Sequence, residues 1–181
     1  MQAIILAGGK GTRLKPFTNI LPKPLMPIGD KSILEIIIEQ LSQLGISDIY
    51  ISCGYLSHII KAIFEDGKKF GVNIKYSVEN RPLGTAGPLS LILENLEDNF
   101  IVLNGDILTT LNFKNLYNTH KSKNSDATIC IKKREIKVDF GVIETEKENF
   151  IKYNEKPLYS FNVSMGINVF NKKAIKTFVK A

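Results

Sequence analysis

The sequence predicts an α/β fold: a three-layer α/β/α sandwich on a mainly parallel, mixed sheet, with a β-rich extension closing one side of a pocket. Three observations predict it. Over the first 125 residues, apolar runs of strand length alternate with amphipathic runs of helix length. The first apolar run, Gln2–Leu6, opens at once into Gly8-Gly9-Lys10-Gly11-Thr12-Arg13-Leu14. After Asp126 the rhythm changes to strand-length runs joined by short links. Strand-then-helix repeats imply parallel strands with right-handed crossovers, and therefore layers.

Each element has a local reason. Gln2–Leu6 is a short, wholly apolar strand apart from its first residue. Residues 32–44 read as a helix: Ser32 and Glu35 have capping-box spacing, Leu34, Ile37, Ile38 and Leu41 share a face, and Gly45 stops it. Residues 48–53 read as a strand, and 57–65 as a helix with Ile59, Ile60, Ile63 and Phe64 facing inward. Residues 73–78 read as a strand. Residues 85–96 read as a helix with Pro88 in its first turn, where a missing N–H is tolerated. A strand over 100–103 and a helix over 113–121 complete the fourth unit. Strands then follow at 127–131, 141–145, 150–154 and 165–170, with a last helix from Asn171. The chain is read as one domain over 1–181, in two parts, 1–125 and 126–181.

Composition narrows the classes. Hydrophobic residues at 44% and charged residues at 23% are ordinary for a globular domain. No apolar run approaches the ~20 residues that span a bilayer, and the start lacks the pattern of a signal peptide. Cys53 and Cys130 sit in apolar runs without metal-ligand spacing. They are expected to be reduced and buried, in a cytoplasmic protein. The net charge is +6, but all but three of the 24 basic residues are dispersed lysines. Only Lys132-Lys133-Arg134 forms a run of three, and no aromatics interleave with the basic residues. Solvated lysines around an anionic small molecule are favoured over nucleic acid.

In such sheets ligands gather at the carboxyl ends of the strands. There lies the Gly8–Leu14 loop, whose glycines admit positive φ and bring backbone N–H groups to a phosphate. Arg13 adds a planar fork for phosphate oxygens. The loop has neither Walker A spacing nor a full dinucleotide fingerprint. Asp106 follows the apolar run Ile101-Val102-Leu103 and Asn104-Gly105, a position suited to a hard cation shared with phosphate. Pro22 and Pro24 stiffen the backbone around Lys23. Leu83-Gly84-Thr85-Ala86-Gly87 is a second glycine-bearing loop, and Glu155-Lys156-Pro157 sets an acid and a base beside a proline. Each of these last three has an ordinary alternative as a turn or a solvated pair.

Taken in order, L-A-G-G-x-G-T-R-L, P-K-P, P-L-G-T-A-G, G-D and E-K-P resemble the sugar-1-phosphate nucleotidylyltransferases. The likeness runs from Leu6 to Phe170 and implies a Rossmann-like fold whose extension binds the sugar. The stretch from Glu79 to Leu89 most resembles mannose-1-phosphate guanylyltransferases, which implies GTP. The resemblance implies that Leu6, Ala7, Gly8, Gly9, Gly11, Thr12 and Arg13 hold the nucleoside triphosphate, with Glu79, Gly84 and Thr85 near the base. It further implies Arg13, Lys23 and Asp106 as catalytic, Asp106 binding Mg²⁺, and Gly141, Glu155 and Lys156 lining the sugar-1-phosphate site. The implied partners are the two substrates, without nucleic acid or membrane, in a chain able to form a homo-oligomer. Thymidylyl or cytidylyl transfer stays open as the alternative base, and a non-catalytic regulatory relative as the alternative class.

Two departures from the family pattern stand out. Ser164-Met165-Gly166-Ile167-Asn168-Val169-Phe170 replaces the common N-A-G-I-Y-V-F near the sugar. The second metal-binding aspartate of the family, in a W-x-D-x-G-like segment, is not found in these 181 residues. The chain is accordingly expected to be a fragment cut at its C-terminal side. It should bind nucleotide while turning over weakly.

Overall fold

A computed structural model of the chain describes residues 1–79, 83–84 and 86–178. The described residues form two compact units: Met1–Ile129 with the chain from Gly166 onward, and Cys130–Met165. In chain order, β1 (Gln2–Ala7) is followed by the two-residue strands β2 (Pro27–Ile28) and β3 (Lys31–Ser32), then α1 (Ile33–Gln43). Next come β4 (Asp48–Cys53), α2 (Ser57–Phe64), β5 (Asn73–Val78), β6 (Asn99–Asn104) and α3 (Phe113–Ser122). The remainder is β7 (Ala127–Lys137), β8 (Val142–Glu146), β9 (Asn149–Asn154), β10 (Leu158–Asn171) and α4 (Lys172–Phe178).

The principal sheet has the order β5-β4-β1-β6-β10-β7. β1 pairs parallel with β4 and with β6, and β4 parallel with β5. β10 pairs antiparallel with β6 through Ile167–Asn171, so the sheet is mixed and mostly parallel. The boundary read at residue 125 does not coincide with the two units, because the second half of β10 returns to pair with β6 in the first unit.

The central strands are apolar on both faces because both faces are covered. Ile4, Tyr50, Phe100 and Val102 pack with Leu89, Ile92, Leu93 and Leu96 in one buried cluster. The alternate residues Ala3, Ile5, Ile49, Ile51, Ile101 and Leu103 are equally buried. Each large side chain so buried contributes about 1.5–3 kcal/mol. In α1 the Ser32 hydroxyl accepts from the Glu35 N–H at 3.2 Å, and Leu34, Ile37, Ile38 and Leu41 are buried. Gly45 follows with φ 75°, the left-handed turn that ends the helix. In α3 the Asn112 side chain caps by accepting from the Asn115 N–H at 3.0 Å.

Three expectations are corrected. Of the helix expected over 85–96, the described residues 86–96 are not α-helical. Gly87–Leu91 and Leu93–Asn95 are 3₁₀ turns, closed by Leu89 N–H to Ala86 O and Asn95 N–H to Ile92 O. The apolar spacing 89, 92, 93, 96 reaches the sheet either way, so periodicity found the face and missed the pitch. In the two-turn α2 only Ile60 and Phe64 are buried; Ile59 is half-buried and Ile63 is 39% exposed. Two turns lay one i, i+4 stripe on the core, and the neighbouring stripe stays at its edge. Cys53 is buried but Cys130, on β7 at the sheet edge, is only half-buried.

The second unit contains the antiparallel β8–β9 hairpin, which turns at Lys147 with φ 55°. No described helix is long and apolar enough to cross a membrane.

His120, at the end of α3, is almost wholly buried. The Asn171 amide donates to Asn99 Oδ1 at 3.3 Å, so that oxygen is an acceptor. His120 Nε2 therefore donates to it at 3.1 Å, and Nδ1 accepts from the Thr128 hydroxyl at 2.9 Å. Burial holds the imidazole below its ordinary range, against a weaker upward pull from Asp126. The unfolded chain, with a histidine value of about 6.5, then binds the proton more readily. Stability is full above that value and falls as pH drops toward the depressed folded value. Between about pH 7.5 and pH 5.5 the wild type should lose more melting temperature than His120→Gln, checked by calorimetry of both chains.

Candidate active site

The parallel register brings the ends of β1, β4, β5 and β6 to one rim. A cleft of about 1070 Å³ opens there. Leu6 and Ala7 come from the end of β1, Gly54 and Tyr55 from beyond β4, Glu79 from beyond β5, and Asn104 and Asp106 from β6 and its turn. The loop from Gly8 to Leu14 forms one wall, with Lys23, Pro24, Gly84 and Pro88 completing the lining.

Two glycines are required by their surroundings. A Cβ on Gly8 would lie 2.5 Å from Glu79 Oε1. The Glu79 carboxylate lies over the loop in the space that a side chain at position 8 would take. Its other oxygen, Oε2, accepts from the Leu83 N–H at 3.0 Å. Gly11 has φ 58°, and a Cβ there would meet Thr18 Cγ2 at 2.9 Å. From Gly11 the chain makes one 3₁₀ turn over Thr12–Leu14, with Leu14 N–H donating to Gly11 O at 2.9 Å. The Thr18 hydroxyl donates to the same carbonyl at 3.0 Å, from a residue only 2% exposed.

The charged groups stand in contrast to one another. Lys10 and Arg13 are exposed on the cleft wall and enter no ion pair among the described residues. Lys23, set between Pro22 and Pro24 in the 3₁₀ turn Lys23–Leu25, is ion-paired through Nζ to Asp106 Oδ2. Asp106 is placed by the turn at Gly105, whose N–H donates to Leu6 O at 2.8 Å. Beyond it, Gln40 Nε2 on α1 donates to Thr109 O at 3.0 Å and to Leu111 O at 3.4 Å, which ties down the following loop.

Of the residues singled out in the sequence, Leu6, Ala7, Gly8, Gly9, Gly11, Thr12, Arg13, Lys23, Glu79, Gly84 and Asp106 all line this one cleft. Thr85 lies outside the described residues. Gly141, Glu155 and Lys156 belong to the second unit. There a Cβ on Gly141 would overlap the Tyr153 hydroxyl, and that hydroxyl donates to Glu155 Oε2. Lys156 is exposed with φ 43°. Sequence reasoning missed Gly54 and Tyr55, which the strand-end rule finds once applied to every strand; Asn104 lies on the rim where the rule put it. Thr18 and Gln40 carry no sequence signal, since their roles depend on carbonyls remote in the chain.

Among the described residues no three His, Cys, Asp or Glu side chains cluster as a closed metal site. Asp106 offers a carboxylate at a cleft wall built of backbone and cations. That donor set suits a hard cation which takes most of its ligands from phosphate and water.

The family model described as nucleotidyl transferase matches residues 2–181. The mannose-1-phosphate guanylyltransferase catalytic subunit beta of Dictyostelium discoideum is 38% identical over 178 residues, covering 94% of this chain and 50% of that protein. The UTP–glucose-1-phosphate uridylyltransferase of Synechocystis sp. is 36% identical over 194 residues, covering 97% of this chain and 50% of that protein. The chain thus spans about half the length of these relatives. Among solved structures, HddC from Yersinia pseudotuberculosis, complexed with GMP-PN, superposes with a TM-score of 0.74 at 27% identity, covering 98% of this chain and 79% of that one. A Bacillus anthracis protein described as a glucose-1-phosphate thymidylyltransferase, solved with sucrose, gives 0.79 at 27% identity, covering 100% and 76%.

The Thr18 hydroxyl gives one test of how the loop is held. Thr18→Val keeps the shape and removes the donor to Gly11 O, at an expected cost of about 1 kcal/mol. Amide exchange at Leu14 should quicken, as read by NMR.

Proposed function

The chain belongs to the nucleotidyl transferase family, and from that premise we propose that it transfers a nucleoside monophosphate from a nucleoside triphosphate to a sugar-1-phosphate, releasing pyrophosphate. The observation that supports this most is the gathering of the Gly8–Arg13 loop, Lys23, Glu79 and Asp106 around one cleft at the strand ends. The sugar-1-phosphate oxygen attacks the α-phosphorus in line. The bond to the β-phosphate bridging oxygen breaks, and pyrophosphate carries away the electron pair. No general base is needed, because a phosphate monoester with a second pKa near ~6 is already anionic at pH 7. The histidines accord with this: neither His58 nor His120 lines the cleft, and His120 is consumed by its buried hydrogen bonds.

In this reading the backbone from Leu6 to Gly11 and the Thr12–Arg13 turn grip the triphosphate. Arg13 neutralises charge that grows on the phosphate oxygens, and Lys23 contacts the reacting phosphates. Asp106 holds Mg²⁺, which when bound supplies charge neutralisation and alignment of the phosphates. Gly141, Glu155 and Lys156 serve the sugar-1-phosphate, with Lys156 on its phosphate and Glu155 on hydroxyls. Free thiols at Cys53 and Cys130 suit a reducing, cytoplasmic setting.

We assign the base as guanine on the chemistry of Glu79. An ionised carboxylate only accepts hydrogen bonds. Guanine presents adjacent N1–H and N2–H donors on one edge, whereas uracil and thymine present one N–H flanked by two carbonyl oxygens. The uridylyl- and thymidylyl-transferring proteins similar to this chain make those bases the second reading.

Calorimetry with each triphosphate in turn tests the base: GTP should bind tightest, and a tighter fit for UTP or dTTP would reassign it. Glu79→Gln should weaken GTP by about tenfold, roughly 1.4 kcal/mol for a lost charge-assisted bond, and narrow its lead over UTP. Pyrophosphate release with hexose-1-phosphates tests the reaction. Arg13→Ala should lower kcat by about 10²–10³-fold, the usual cost of one charge-stabilising donor, with triphosphate affinity changed only a few-fold. Unchanged turnover would remove Arg13 from this role.

A further inference from the structure

Among the described residues, the Lys23–Asp106 ion pair is the one place where two groups assigned to different partners hold each other. The reaction asks Lys23 to meet phosphate and Asp106 to meet a cation. Here the ammonium sits on Asp106 Oδ2, one of the two oxygens that the carboxylate can offer a divalent cation. The pair is not a sealed structural one. Lys23 and Asp106 are 40% and 27% exposed, and part-exposed pairs hold weakly. The prolines at 22 and 24 restrain the Lys23 backbone, so exchange is left to the flexible side-chain stem. Lys10 and Arg13, exposed on the same wall and in no ion pair among the described residues, are available to an incoming anion without any such exchange.

We propose that Lys23 is an exchangeable counter-ion for Asp106: it competes with a divalent cation for the carboxylate until an anionic phosphate in the cleft draws it away. This rests on the reading of Asp106 as the cation-holding residue. The pair then makes cation binding conditional. A metal ion alone meets an aspartate already neutralised by a lysine. A triphosphate arriving on the Gly8–Arg13 loop offers Lys23 a better partner, and the carboxylate is released to the cation that accompanies the phosphates. One side-chain swing thus supplies both charges where the chemistry needs them.

The test uses Mn²⁺ binding to the nucleotide-free protein, read as the loss of the free-ion signal in electron paramagnetic resonance. Lys23→Met and Lys23→Gln, each shown to be folded by circular dichroism, should bind Mn²⁺ roughly three- to tenfold tighter than the wild type, as expected for removing a like charge within a few ångströms at a partly wet site. Lys10→Met removes the same charge from the same cleft without touching Asp106, and should stay within about twofold of wild type. Inorganic phosphate at matched free Mn²⁺ should strengthen Mn²⁺ binding to the wild type more than to Lys23→Met. Lys23 variants no tighter than wild type, or Lys10→Met tightening as much, would overturn the competition. Asp106→Asn separates the two layers. If it abolishes Mn²⁺ binding while Lys23→Met fails to tighten it, the reading of Asp106 stands and the competition falls. If it binds Mn²⁺ as the wild type does, Asp106 is not the cation site and both fall.

Discussion

The candidate site depends on the parallel pairing of β1 between β4 and β6. Leu6 is level with Ser52 on one side and Asn104 on the other, so three strands finish at one height. Their loops then have to diverge within a few residues. The Gly105 N–H to Leu6 O bond closes the β6 turn against β1, and the Gly8 backbone lies against Gly54, whose Cβ would come within 3.4 Å of Gly8 O. A shift of one residue in either pairing would send Asp106 or Glu79 to a different level. Burial on both sheet faces fixes the register, because a slip would exchange two complete sets of apolar side chains.

This frame separates rigid from adjustable parts. The loop backbone is held at the Gly11 carbonyl, which accepts from both the Thr18 hydroxyl and the Leu14 N–H. Prearranged dipoles of that kind need no reorganisation when charge develops on a phosphate. The charged side chains differ. Among the described residues Arg13 and Lys10 enter no ion pair, and Lys23 rests on Asp106. A fixed cradle with exposed, adjustable charges is the arrangement that the proposed reaction on a triphosphate would call for.

The fold was legible where one rule acts alone. Apolar runs bounded by turns gave the four parallel strands to within a residue or two, and the Ser32–Glu35 spacing gave the start of α1. Legibility failed where two rules compete. At 87–96 the period of the apolar residues says α-helix, yet the backbone takes 3₁₀ turns, since both place Leu89, Ile92, Leu93 and Leu96 on the sheet. At Ile63 the side chain is apolar, but α2 is too short to bury a second stripe. For the cleft, ordered motifs named eleven of its lining residues, because glycine, proline and charge at strand ends leave a sequence signature. Thr18 and Gln40 left none. They work through backbone carbonyls, and any residue supplies a carbonyl.

The crowding of Gly8 by Glu79 also bears on how the sequence can change over generations. Only the carboxylate tip stands in the way of a methyl group at position 8; the next atom outside that side chain, Gly54 N, is 3.8 Å off. Alanine at 8 therefore obliges the flexible Glu79 carboxylate to swing aside and strain its bond to the Leu83 N–H, a demand that a shorter residue at 79 would not meet. The two positions are coupled, and a methyl at 8 costs less once 79 has been shortened.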